Sequence, residues 1–117
     1  APVTVAINHK ERYDADDMKV MSDAGRLTEI GKTLPPETVD AEAIGIYYFR
    51  DTGPQSYVEV LEAAMREPQG LKQWFPSAVG RLAKHVEVRT LAIDGLEWCE
   101  VDFPVDLQHA RHLVAHW

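Results

Sequence analysis

A single cysteine, Cys99, rules out any disulfide within the chain, and a reducing compartment, with the cytoplasm as the default, is the expectation that follows. No apolar run approaches the ~20 residues of a membrane-spanning helix, and neither a membrane partner nor a signal-like segment is expected. Cations are scarce: 12 Lys and Arg stand against 19 Asp and Glu, a formal charge of −7, and they are spread along the chain. That distribution argues against a nucleic-acid partner, because affinity for a phosphate backbone depends on clustered Lys and Arg. The seven glycines (Gly25, Gly31, Gly45, Gly53, Gly70, Gly80, Gly95) are scattered singly. Neither G-x-G-x-x-G nor G-x-x-x-x-G-K-[ST] occurs, so no glycine-rich loop of that kind cradles a phosphate with backbone amides.

What is present is the material of one small domain, 117 residues with 45% hydrophobic content. Val3 to Ile7 reads as a short strand, and the segment from Asn8 to Asp17 as a polar loop. Lys19 to Met21 and Arg26 to Ile30 read as a hairpin turned at Ser22-Asp23-Ala24-Gly25. Pro35 and Pro36 mark a loop, and the β-branched and aromatic run Ala43 to Phe49 a buried strand. Ser56 and Glu59 have capping-box spacing at the start of a helix that carries Tyr57, Val58, Leu61 and Met65 until Pro68 and Gly70 stop it. A second helix runs from about Phe75 or Pro76 to His85 with Ala78, Val79 and Leu82 inward. Val86 to Ile93 alternates as a strand before a turn at Asp94-Gly95. Helices mixed with hydrophobic strands predict a three-layer α/β/α sandwich on a mixed sheet.

The segment Trp98 to Leu107 reads as a strand that enters a helix with acids at the junction. In a strand, Trp98, Glu100 and Asp102 share one face and Cys99, Val101 and Phe103 the other. Pro104 suits a first helical turn, and Asp106 stands at the third helical position, where a carboxylate reaches back to a helix-end amide. Asp102 has two readings, a carboxylate lining a cleft and a plain helix cap.

The pattern W-x-E-x-D-x-P-x-D-L-x-x-A, matched by Trp98, Glu100, Asp102, Pro104, Asp106, Leu107 and Ala110, resembles the closing motif of nucleotidyltransferases that couple a nucleoside triphosphate to a small phosphorylated alcohol. The phosphocholine cytidylyltransferase-like branch is the nearest, within the wider sugar-phosphate nucleotidyltransferase family. Upstream, Arg26 to Lys32 resembles that family's I-x-x-I-G-K strand, and Ala41 to Phe49 its E-x-x-G-I-x-x-F strand. Three blocks in the same order carry the resemblance over nearly the whole chain, as the C-terminal half of such an enzyme.

The resemblance implies a Rossmann-like nucleotidyltransferase fold, with ligands at the carboxyl ends of the strands. It implies transfer of a nucleotidyl group, from CTP by expectation, to phosphocholine, a phosphonate or a sugar phosphate, with Mg²⁺ as cofactor and pyrophosphate as product. Asp102 would be a metal-binding and catalytic carboxylate, and Lys32 would contact the acceptor's phosphate; a solvated strand-end lysine is the plainer reading. Glu42, Glu100, Trp98 and Tyr48, with Tyr47 and Trp74, would build an acceptor pocket in which aromatic faces backed by carboxylates hold an ammonium group; for the aromatics the plainer reading is core. Phe103 departs from the family, whose members carry Thr or Ser there. The glycine-rich loop and the first metal-binding aspartate of the family would precede residue 1, so the chain is read as a fragment completed by an N-terminal half or by a partner chain. Oligomeric state stays open, homo-oligomers included.

Other features lead elsewhere. His109, His112 and His116 share one side of the last helix, opposite an apolar stripe of Leu107, Ala110, Leu113, Val114 and Trp117, and read as a solvent face more readily than as a zinc site. Asp14, Asp16 and Asp17 lack the glycine and terminal glutamate of an EF-hand and read as a solvated loop. Nothing groups a Ser, a His and an Asp for hydrolysis. A non-catalytic binding or regulatory module of the same fold is the alternative to the transferase.

Overall fold

In the computed structural model, which describes residues 1–70 and 75–117, Val3, Val5 and Ile7 bury one face of a first strand, β1 (Val3–Asn8). A hairpin follows, β2 (Lys19–Asp23) and β3 (Arg26–Gly31), turned by Ala24 and Gly25 at φ of 51° and 82°. Two successive positive-φ residues give the turn whose twist matches that of the flanking strands. The strand β4 (Ala41–Phe49) runs antiparallel to β1, and β5 (Val88–Ala92) runs parallel to it, Val3 facing Val88 and Ile7 facing Ala92. Between β4 and β5 lie the helices α1 (Gly53–Met65) and α2 (Phe75–Leu82); α3 (Pro104–Val114) follows β5.

The sheet order is β1-β4-β2-β3-β5, closed back on β1. Closure rests on a narrow seam: Arg26 pairs with Arg89, and the Gly25 carbonyl accepts from the backbone N–H of Thr90 at 2.9 Å and from its hydroxyl at 3.2 Å. The mixed sheet is as expected, but the architecture differs from a plain three-layer sandwich. Strands of five to nine residues with the usual right-handed twist curl onto themselves, and the interior is filled by Val3, Val5, Val20, Leu27, Leu82 and Val88. Helices α1 and α2 pack on each other and α2 on β3, whereas α3 buries none of its residues. Of the stripe Leu107, Ala110, Leu113, Val114 and Trp117, Ala110 and Leu113 are half-buried and the rest exposed; Trp117 is 75% exposed, its indole N–H bonded to Glu97 at 2.7 Å.

Three local expectations are corrected. Helix α1 begins at Gly53, so Ser56 lies inside it and forms no capping box; Pro54 in the first turn sets the earlier start, and Gly53 fits because a Cβ there would lie 2.2 Å from the Pro2 carbonyl oxygen. Helix α2 ends at Leu82 instead of His85. Trp98 to Val101 is not a strand: after the turn at Asp94-Gly95 the chain joins no backbone ladder among the described residues before α3 begins. A strand requires a ladder partner as well as an alternating pattern, and β5 already pairs with β1 and meets β3.

Candidate functional site

Antiparallel pairing gathers one end of the sheet into a cluster of polar groups. Asn8, the last residue of β1, faces Glu42 near the start of β4; Lys19, the first residue of β2, faces Glu42 on the other side and Gly31, the last residue of β3, beyond it. Glu42 is 8% exposed and its carboxylate is fully engaged, Oε1 accepting from Asn8 Nδ2 at 3.2 Å and Oε2 lying 3.3 Å from Lys10 Nζ. The same Lys10 ammonium stands 2.6 Å from Asp17 Oδ2. Burial alone would pull the Lys10 pKa down, but its bonds to Asp17 and Glu42 and their charges hold it above its ordinary value. Burial likewise pushes Asp17 up, and the bonds from Lys10 and from the Asp14 backbone N–H (2.7 Å) outweigh it, leaving its carboxyl below the usual range.

Around this cluster opens a cavity of about 510 Å³, a volume within the range of small-molecule sites. Among the described residues, Asp16, Asp17, Glu42, Glu100 and Asp102 line it with one lysine, Lys32, and its apolar wall is made by Tyr47, Phe75 and Phe103. The rings of Tyr47 and Phe75 meet edge to face at 5.0 Å. Burial, followed by the charge of Tyr57, lifts the Tyr47 phenol to about 12, so it is a neutral hydroxyl at any working pH. Glu100 is raised as well, by burial first and then by the negative charges of Asp102, Glu42 and Asp17. The acids therefore act on one another, and the cavity favours a cation or a proton over further negative charge.

Gly45 shapes the wall. Between the pairs Val5–Tyr47 and Ile7–Ala43 the ladder of β1 and β4 slips, leaving three residues of β4 opposite Ala6 alone. Gly45 sits in that bulge at φ +90°, a conformation that strains residues with a Cβ, and no atom lies within 4 Å of where its Cβ would be. The glycine is there for its backbone and not for space.

The sequence-predicted residues divide. Lys32, Glu42, Glu100 and Asp102, drawn from three separate blocks, line the one cavity. Trp98 is half-buried and Tyr48 is 61% exposed, and neither lines it; Trp74 lies outside the described residues. Tyr48 fails because successive side chains of β4 point to opposite faces, and Tyr47, not Tyr48, shares the cavity side with Ala43 and Gly45. Asp102 is not the helix cap. Phe103 holds that position, and Asp106 reaches back to accept from the N–H groups of Phe103 (2.9 Å) and Asp102 (3.0 Å), which is how a helix entry with no hydroxyl cap is satisfied. His109, His112 and His116 are all exposed.

Sequence reading missed Asn8, Lys10, Asp17 and Phe75. A signal existed for the first two, since Asn8 ends β1 and Lys10 lies two residues beyond it, at the carboxyl end where α/β sheets place ligands. Asp17 looked like part of a solvated acidic loop, and only the Lys10 contact distinguishes it. Among the described residues no group of three or more His, Cys, Asp or Glu is arranged to hold a metal ion, and no helix is long and apolar enough to cross a membrane.

The mixed α/β fold has a counterpart among solved structures. The chain superposes with a TM-score of 0.59, at 18% sequence identity, on CMP:2-keto-3-deoxy-manno-octonic acid synthetase complexed with CTP. The match covers 98% of this chain and 49% of that one, so the chain spans about half the length of the structure it resembles. No protein-family model matches the chain, and no curated protein sequence matches it.

Proposed function

We propose that the chain is part of a nucleotidyltransferase that uses CTP and a small phosphorylated acceptor and releases pyrophosphate. One observation carries this reading: Lys32, Glu42, Glu100 and Asp102 converge on one cavity in a fold shared with a CTP-bound synthetase. The reaction joins two anions, so cationic groups must hold the acceptor near the triphosphate while charge develops on the α-phosphate. Lys32 supplies the cation of this chain that meets the acceptor's phosphate. Glu42, Glu100 and the wall of Tyr47 and Phe75 suit an acceptor that carries an ammonium group, as phosphocholine and aminoalkylphosphonates do. Asp102 offers one carboxylate to Mg²⁺, an ion that is content with one or two carboxylates when phosphate oxygens and water complete its shell. Bound there, Mg²⁺ would spread the negative charge of the phosphates. The glycine-rich phosphate loop and a second carboxylate come from an N-terminal half or a partner chain, and activity depends on that partner.

The test is pyrophosphate release by the full-length product from each of the four triphosphates with phosphocholine, aminoethylphosphonate and sugar 1-phosphates. CTP with one of these acceptors should turn over, and Asp102→Ala should lower kcat by about 100-fold or more, the scale of a lost charge-stabilising contact. Undiminished turnover in Asp102→Ala sinks the proposal. Among the described residues, the excess of five carboxylates over one lysine in the cavity supports a second reading, a binding module for a cationic ligand. Saturable binding of choline with no pyrophosphate release from any combination would favour it.

A further inference from the structure

Lys19 is 1% exposed, as buried as Leu27 or Val88, yet it ends in an ammonium. Its Nζ donates to the Lys32 carbonyl at 2.7 Å and to the Asp17 carbonyl at 3.3 Å, and it forms no ion pair with a carboxylate among the described residues. Burying an ammonium is unfavourable unless it is well bonded. An apolar side chain such as that of the adjacent Val20 would satisfy the packing at this position, so packing does not account for a lysine there. What the ammonium does is join two chain segments that leave the sheet. Asp17 precedes β2 and Lys32 follows β3, and both side chains line the cavity.

We infer that Lys19 is a positioning residue for the cavity, fixing the backbone of Lys32 and Asp17 so that their side chains stay on its rim. The role rests on the reading of Lys32 as the lysine that meets the acceptor's phosphate. A carbonyl held at 2.7 Å fixes the peptide plane after Lys32, which is the point where β3 gives way to the Leu34-Pro35-Pro36 loop.

Two measurements on the full-length protein separate this role from the catalytic reading. In Lys19→Met, ¹⁵N relaxation should show the order parameters of Lys32 and Thr33 falling below about 0.6 while Val5 and Val88 stay near about 0.85. Lys19→Arg, which keeps the charge and can reach a carbonyl, should restore part of the order. In pyrophosphate release with CTP and phosphocholine, Lys19→Met and Lys32→Ala should each raise the acceptor KM about tenfold and leave the CTP KM unchanged. The double variant should be no worse than Lys32→Ala alone, because both changes remove one function. Unchanged order at Lys32 in folded Lys19→Met overturns the inference whatever the activity, and so does additivity in the double variant. If Lys19→Met does not fold, Lys19→Gln, whose amide can bond one carbonyl, carries the same comparison. Loss of order at Lys32 in a protein whose wild type releases no pyrophosphate removes the transferase reading and supports the positioning role.

Discussion

Lys10 Nζ stands 2.6 Å from Asp17 Oδ2, and through this contact a strand-end lysine neutralises an acid on the cavity rim. The pair sets a pH window. Asp17 titrates below its ordinary 3.8 in the folded chain, so its contribution is complete above that value and is lost as the pH falls through the lowered one. Lys10 titrates above 10.5, so its contribution is complete below that value and is lost as the pH rises through the raised one. Asp17→Asn should cost about 0.5–1 kcal/mol at neutral pH, the partly exposed setting discounted, and nothing once both forms are neutral in acid. Urea unfolding at pH 7 and near pH 3 checks this, and an equal loss at both pH values would refute it.

Glu100 has the opposite sign. Its folded carboxyl titrates above the usual 4.5, so ionisation works against folding at neutral pH and this penalty disappears as the pH falls through the raised value. Asp102→Asn removes one of the repelling charges. The Glu100 midpoint should move down without reaching its ordinary value, since burial, the leading cause, remains. Carboxyl ¹³C titration by NMR follows it, and an unmoved midpoint would show that Asp102 and Glu100 do not interact.

Gly45→Ala places a Cβ at φ +90° in open space, so the expected loss is conformational only, about 1–2 kcal/mol. Gly45→Asn should lose less, because Asn tolerates positive φ better than Ala. Equal denaturation midpoints for wild type and Gly45→Ala would mean that the bulge in β4 is not held in this form.

Asp106→Ala removes the acceptor for the Phe103 and Asp102 N–H groups, a cap worth about 1 kcal/mol. Because α3 buries none of its residues, this loss should appear as local fraying and not as a lower global midpoint. Hydrogen exchange should accelerate about fivefold in α3 and stay unchanged in β1, by the conversion of free energy to opening. Acceleration in both would tie α3 to the core.

Much of this was legible along the chain. Val3 to Ile7, the hairpin on either side of Ala24-Gly25, and the strand ending at Phe49 were readable because alternation and turn residues are local properties. Asp106 was placed correctly as the acid that reaches back to the helix entry, again over a span of three residues. The failures share a cause. Ser56 and Glu59 had the spacing of a cap, but Pro54 began the helix earlier; Trp98 to Asp102 alternated like a strand, but no ladder edge received it. Tyr47 reads as a core residue and Tyr48 as a pocket residue along the chain, yet Tyr47 is the one that lines the cavity, because which face of β4 meets the cavity is set by its neighbours in the sheet.

By itself the sequence determined most of the element types, the acidic balance and part of the set of residues at which chemistry was to be sought, since these follow from side-chain periodicity and from charge. Only the tertiary structure decided that Lys32, Glu42, Glu100 and Asp102 share one cavity, that Lys10 joins Asp17 to Glu42, and that the buried Lys19 sets its ammonium on the carbonyls of Asp17 and Lys32. These are contacts between strands brought together by pairing register and sheet closure, so they are set by the ladder between segments and not by the residues of any one segment.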